Sequence, residues 1–84
     1  MSTSVLSKLQ VVDFTSGPAG GQATTVLSDF GADVIKVEPP DGDRFRALPS
    51  SPFWLRGKRS ITLDLATSAG VAEARALAIG ADVV

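Results

Sequence analysis

The stretch LQVVDFTSGPAGGQATTVLSDFGADVIKV, residues 9–37, decides the fold class. Leu9 to Phe14 form a short apolar run that Thr15-Ser16-Gly17-Pro18 cuts off, a length and an ending that suit a buried strand better than a helix. From Gly20 the period changes. Ala23, Val26, Leu27 and Phe30 stand at i, i+3, i+4 and i+7, so they fall on one helical face, and Gly31 supplies the stop. Asp33 to Val37 is short and β-branched again and predicts a second strand, closed by the turn-forming run Glu38-Pro39-Pro40-Asp41-Gly42-Asp43. A strand, a helix and a strand in this order make a βαβ unit, whose two strands run parallel.

Outward from this unit the pattern repeats. Arg44 to Gly57 holds Pro49, Pro52, Ser50, Ser51 and Gly57 but no sustained period, which predicts a long surface loop with one helical turn around Phe53 to Leu55. Ser60 to Leu65 alternates apolar and polar as a third strand does. Thr67-Ser68 then opens a helix with Val71, Ala74, Leu77 and Ala78 on one face, Gly80 stops it, and Ala81 to Val84 begins a fourth strand. The expected order is β-α-β-loop-β-α-β in a mainly parallel α/β sheet. Two helices cover both faces of four strands poorly, so the 84 residues are expected to be an incomplete part of a larger domain. They make one unit at most, and one that small buries only about 60% of its unfolded surface, so its stability alone is expected to be marginal. Ligands of parallel sheets bind beyond the carboxyl ends of the strands. Here those ends are Thr15–Gly21, Glu38–Asp43 and Asp64–Ser68, three loops expected to share one rim.

Charge and composition exclude several function classes. Eight basic and nine acidic residues nearly cancel, which removes the bulk argument for nucleic acid or an anionic membrane as partner. Five of the eight cations, Arg44, Arg46, Arg56, Lys58 and Arg59, nevertheless crowd into one segment, the place to look for an anion site. With no cysteine and no histidine there is no disulfide framework, no thiolate metal site and no neutral-pH proton shuttle, so no metal is expected. The polar start lacks a signal-peptide core and no run is long enough to span a membrane; a cytoplasmic protein is the expectation.

Several residue groups admit two readings. Ser16-Gly17-Pro18-Ala19-Gly20-Gly21 follows a strand and opens a helix, the setting in which free amides attract phosphate. It equally makes a tight turn, and Ala19 and Gln22 stand where a G-x-G-x-x-G nucleotide fingerprint needs glycines. Arg56-Gly57-Lys58-Arg59 is either a phosphate receptor or a solvated turn. Phe53 and Trp54 either cover an adenine ring or form a small satellite core. Asp13 and Asp64, near strand ends, are either catalytic carboxylates or turn hydrogen-bond acceptors, and Glu38 stands where a dinucleotide fold places its ribose-binding acid.

Taken in order, residues 9–15, then Gly17 to Gly21, then Asp29 to Asp43, then Arg56 to Leu65 closely resemble the N-terminus of family III CoA-transferases. That family includes formyl-CoA and carnitine-type transferases and α-methylacyl-CoA racemases. The resemblance runs from about Leu6 to Val84. It implies a Rossmann-like large domain that binds coenzyme A (CoA), within a chain several times longer that forms a homodimer of interlocked rings. It implies CoA contacts from Pro18 and Ala19, from Pro39 after Lys36-Val37-Glu38, and from Leu63, Asp64, Leu65 and Ala66. Where some relatives carry a phosphate-binding arginine this sequence has Pro39, and where many carry asparagine before Arg-Gly-Lys-Arg it has Leu55, so Arg44, Arg46 or Arg59 would have to take the phosphates; Arg59 is counted among the cofactor-binding residues.

The family's transferases pass the acyl group through a carboxylate anhydride, and its racemases move the proton α to the thioester with a His and Asp pair. Both sets lie beyond the position of Val84, so the resemblance implies no catalytic residue here. The leading expectation is a CoA-transferase piece that supplies part of the CoA site. The rivals are the corresponding piece of an acyl-CoA racemase and a non-catalytic structural or dimerisation fragment that needs a complementary chain. A nicotinamide dinucleotide domain is disfavoured by the glycine spacing.

Overall fold

The structure, a computed structural model, describes residues 5–49 and 51–84. Its elements run β1 (Gln10–Asp13), α1 (Pro18–Asp29), β2 (Asp33–Glu38), α2 (Ser51–Leu55), β3 (Arg59–Thr62) and α3 (Ser68–Gly80). The three strands form one parallel sheet in the order β1-β2-β3. Asp13, Lys36 and Ser60 stand side by side in register across it. Because all three strands point the same way, their carboxyl ends do gather on one edge, the arrangement expected of a Rossmann-like sheet.

Alternation along the strands sorts the core into two layers. Val12, Val37 and Leu63 pack with Ala74 of α3, while Val11 and Val34 pack with Ala32 on the other face, joined there by Leu27 of α1. Local chemistry sets the helix ends. Proline at the first position of α1 costs no hydrogen bond there, so the helix starts at Pro18, two residues ahead of the expected Gly20. It ends in a Schellman pair, with Ala32 N–H donating to Leu27 C=O and Gly31 N–H to Ser28 C=O. For α3 the Thr67 hydroxyl accepts from Gly70 N–H as a cap, and the helix stops at Gly80, both as expected.

The structure corrects three expectations and decides one double reading. β1 and β3 are shorter than expected, since Phe14 and Leu63 to Leu65 already belong to rim loops. The fourth strand is only a single parallel bridge, Val83 to Val11, supported by Val12 N–H donating to Val83 C=O at 2.9 Å. This contact lies on the edge of β1 away from β2, so the sheet extends in both directions from β1. Of the apolar face read from Ala23, Val26, Leu27 and Phe30, only Leu27 packs on the core: Val26 and Phe30 are 54% and 53% exposed. Gly21 and Thr25 face inward instead, because α2 brings Trp54 against them and Thr25 Oγ1 donates to the Trp54 carbonyl. Last, the aromatic pair divides. Trp54 is 1% exposed and part of the interior, so it cannot cover a ligand ring, whereas Phe53 faces solvent.

Candidate functional site

The carboxyl edge has a charged floor on the α1 side. Lys36 lies two residues from Val34, and Asp13 two from Val11, so both side chains point to the face that α1 covers and must find partners there. Lys36 Nζ lies 2.9 Å from Asp43 Oδ2 and donates to Thr15 C=O at 2.9 Å. Asp13 Oδ2 accepts from Thr24 Oγ1 at 2.8 Å and pairs with Lys58 Nζ at 3.3 Å, and Lys58 also donates to Gly21 C=O. Glu38 accepts both forks of the Arg46 guanidinium, at 2.7 and 2.6 Å, along with Asp43 N–H and the Ser60 hydroxyl.

These partners govern protonation. Burial alone would push the Asp13 and Asp43 carboxyls up. Hydrogen bonds outweigh it, from Thr15 and Thr24 at Asp13 and from Phe45 N–H, Lys36 and Gly17 N–H at Asp43, and both carboxyls titrate below the ordinary range. The Arg46 fork holds Glu38 down to about 2 against the opposing effect of burial. Burial pushes the Lys58 ammonium down, with Asp13 opposing. All three carboxyls are lowered relative to the unfolded chain, so their stabilisation is complete above about pH 5 and drains away as pH falls through the folded values. Glu38 alone is expected to contribute on the order of 2 kcal/mol, allowing for solvent screening at the half-exposed Arg46. Thermal midpoints taken from pH 7 to pH 2 should fall steeply in the acid limb, and Glu38→Gln should flatten that fall while lowering the midpoint at pH 7.

This floor settles several double readings. Asp13 is a buried turn acceptor, bonded to Thr15 N–H at 2.8 Å, and Glu38 is closed off by Arg46, so neither is open to a substrate or a ribose. The place a phosphate would take at Gly17 N–H is filled by the chain's own Asp43 carboxylate, 3.1 Å away. The basic run also disperses. Arg56 pairs with Asp29, Lys58 is buried, and Arg59 pairs with Asp33 at 2.6 Å. Asp33 and Arg59 open β2 and β3, so Arg59 stands at the amino edge of the sheet, away from the rim it was expected to join. Of the other two cations considered for phosphate, Arg46 is taken by Glu38. Arg44 makes no ion pair among the described residues and lies 4.9 Å from the centre of the Phe45 ring.

On the α3 side of the same edge lies a cleft of about 270 Å³ lined by Phe14, Pro39, Leu63, Asp64, Leu65 and Ala66, with Val37, Glu38 and Pro40 completing it. Five of the eight expected cofactor-binding residues therefore share one depression. Ala19 is exposed on the first turn of α1, which Pro18 opens, on the same edge. The third loop is held in shape by its own bonds. Ala66 N–H donates to Asp64 Oδ1, and both the N–H and the hydroxyl of Thr67 donate to Asp64 C=O. Asp64 thus acts as a turn acceptor. Gly70 lets α3 close onto this loop, since a Cβ there would collide with the Asp64 carbonyl. Phe14 and Gly70 were absent from the expected residues; the signals were an apolar residue just past a strand end and a glycine in the first turn of a helix.

Comparison with known proteins bears on this edge. The family model described as CoA-transferase family III matches residues 6–84. The protein named "Probable fatty acyl-CoA transferase Rv3272", from Mycobacterium tuberculosis, is 43% identical over 94% of this chain and 23% of its own length. Its crystal structure superposes with a TM-score of 0.88, covering 98% of this chain and 25% of that one, at 41% identity. Succinyl-CoA:mesaconate CoA-transferase of Haloarcula hispanica is 43% identical over 74% of this chain and 19% of its own length. A CAIB/BAIF family protein from Brucella suis also superposes with a TM-score of 0.88, at 38% identity over 98% of this chain. The chain spans about a fifth to a quarter of the length of these relatives. A family model that covers nearly every residue, and identities near two in five carried on the same backbone, establish that this chain belongs to CoA-transferase family III.

Proposed function

We propose that the chain supplies part of the CoA site of an enzyme that transfers CoA between carboxylic acids by way of acyl-CoA thioesters. The observation that carries this reading is the cleft uniting Pro39, Leu63, Asp64, Leu65 and Ala66 beside the exposed Ala19. Its walls are largely apolar, from Phe14, Pro39, Leu63 and the half-exposed Leu65, as suits a nucleotide base or a pantetheine arm. The phosphates fall to Arg44, the rim cation that no carboxylate occupies among the described residues, in place of the arginine replaced by Pro39. The residues here bind and orient the carrier. The carboxylate that accepts the acyl group belongs, by the family resemblance, to sequence beyond Val84.

The test is calorimetric titration of CoA into the protein expressed from its own gene. Ala66 is exposed, so Ala66→Trp fills the cleft without disturbing the core. It should weaken CoA binding by about tenfold or more, the equivalent of roughly 1.4 kcal/mol. Arg59→Ala, at the amino edge, should leave the affinity unchanged. Wild-type affinity in Ala66→Trp, or a large loss in Arg59→Ala, would place the ligand elsewhere.

A further inference from the structure

The Lys36–Asp43 pair is buried to 1% and 2% side-chain exposure, yet neither residue lines the cleft. Replacing a buried ion pair with apolar groups of similar volume is often neutral or stabilising, so its presence is weak evidence of a role in stability. Its bonds give a more specific account. Lys36 Nζ holds Thr15 C=O, while Asp43 holds Gly17 N–H with one oxygen and Phe45 N–H, at 2.8 Å, with the other. Thr15 and Gly17 lie on the loop that leads to Pro18 and Ala19, and Asp43 and Phe45 on the loop that starts at Pro39. Phe45 packs so closely on Gly17 that a Cβ there would come within 3.0 Å of its ring. Three backbone groups from two loops are thus tied at fixed distances by a single pair.

We propose that Lys36 and Asp43 are positioning residues: their buried pair sets the gap between the loop leading into Ala19 and the loop bearing Pro39, and through that gap the affinity for CoA. This rests on the function proposed above. A ligand that touches both loops loses affinity when one shifts by a fraction of an ångström, even where the fold survives.

The test pairs CoA titration with thermal unfolding on the protein expressed from its own gene. Lys36→Met combined with Asp43→Leu leaves no unpaired charge but takes the partners from Thr15 C=O, Gly17 N–H and Phe45 N–H, so its thermal midpoint should fall moderately while the protein still folds, and the CoA affinity of the folded protein should fall by about tenfold. Asp43→Glu keeps the charge balance but lengthens the tie by one methylene. It should fold and bind CoA about fivefold more weakly, and it decides the matter if the double variant does not fold. Wild-type affinity in a folded double variant, or in Asp43→Glu, overturns the proposal while leaving the CoA reading intact. A wild-type protein that binds no CoA overturns both.

Discussion

Asp13→Ala is expected to destabilise the protein by about 3–5 kcal/mol, because it leaves the Lys58 ammonium buried without its counter-charge. The Lys58 and Asp13 side chains are 1% and 0% exposed, so water cannot replace the lost carboxylate without opening the sheet. The same substitution removes the acceptor of Thr15 N–H and both side-chain partners of Thr15 and Thr24. A unit of 84 residues has about 4–13 kcal/mol of stability in all, so the loss is a large share of the total. Urea unfolding followed by far-UV circular dichroism measures it. The informative control is Asp13→Ala combined with Lys58→Met, which removes the orphaned charge. Recovery of most of the loss in that double variant assigns the cost to the unpaired ammonium, and no recovery assigns it to the Thr15 turn.

Trp54→Ala should cost a similar amount, about 3–5 kcal/mol, through loss of the largest side chain in the interior. Trp54 fills the space that Gly21 leaves on α1, its carbonyl accepts from Thr25, and its ring lies 5.8 Å from the Lys36 ammonium. The cavity would open between α1 and α2, against Gly21 and Thr25. Trp54→Phe should be far milder, below about 1.5 kcal/mol, because the indole Nε1–H has no hydrogen-bond partner among the described residues and nothing is orphaned by its removal. Equal losses in the two variants would mean that the indole nitrogen has a partner, such as an internal water, and that the ring's volume is not what matters.

Much of the scaffold is legible in the sequence. The β-branched Val11-Val12 and Val34-Ile35 runs, the period change at Gly20 and the Thr67 cap are local signals, and local signals are enough for a βαβ unit. The rim follows from topology alone, since parallel strands put their carboxyl ends together. The charged floor is implicit in the period-two pattern of the strands. Lys36 and Glu38 share the face of Val34, and Asp13 that of Val11, so a covered sheet face had to bury all three. Which cation answers which acid was hidden, because Asp13 and Lys58 are 45 residues apart and meet only when three strands are in register. The same distance effect governs the basic run. Arg56, Lys58 and Arg59 are neighbours in sequence, but a turn and a strand start send their side chains to three different acids.

For the site, the residues implied by the family resemblance coincide with the cleft at Pro39 and at Leu63 through Ala66, Pro18 and Ala19 fall outside its lining, and Arg59, counted as a stand-in for the phosphates, lies at the opposite edge. The divergence has a physical cause. A residue that opens a parallel strand lies a full strand length from one that follows it, about 10 Å for four residues, and no rotamer change brings Arg59 to the rim while it pairs with Asp33.

The most direct measurement is a map of backbone amide chemical-shift changes on adding CoA to the isotopically labelled protein expressed from its own gene. The expected result is a contiguous set of perturbed amides at Ala19, Leu63, Asp64, Leu65 and Ala66, with Asp33 and Arg59 unmoved. Perturbation centred on the amino edge around Gln10, Asp33 and Arg59, or saturating CoA that moves none of the rim amides, would contradict a carrier seated where the three strands end.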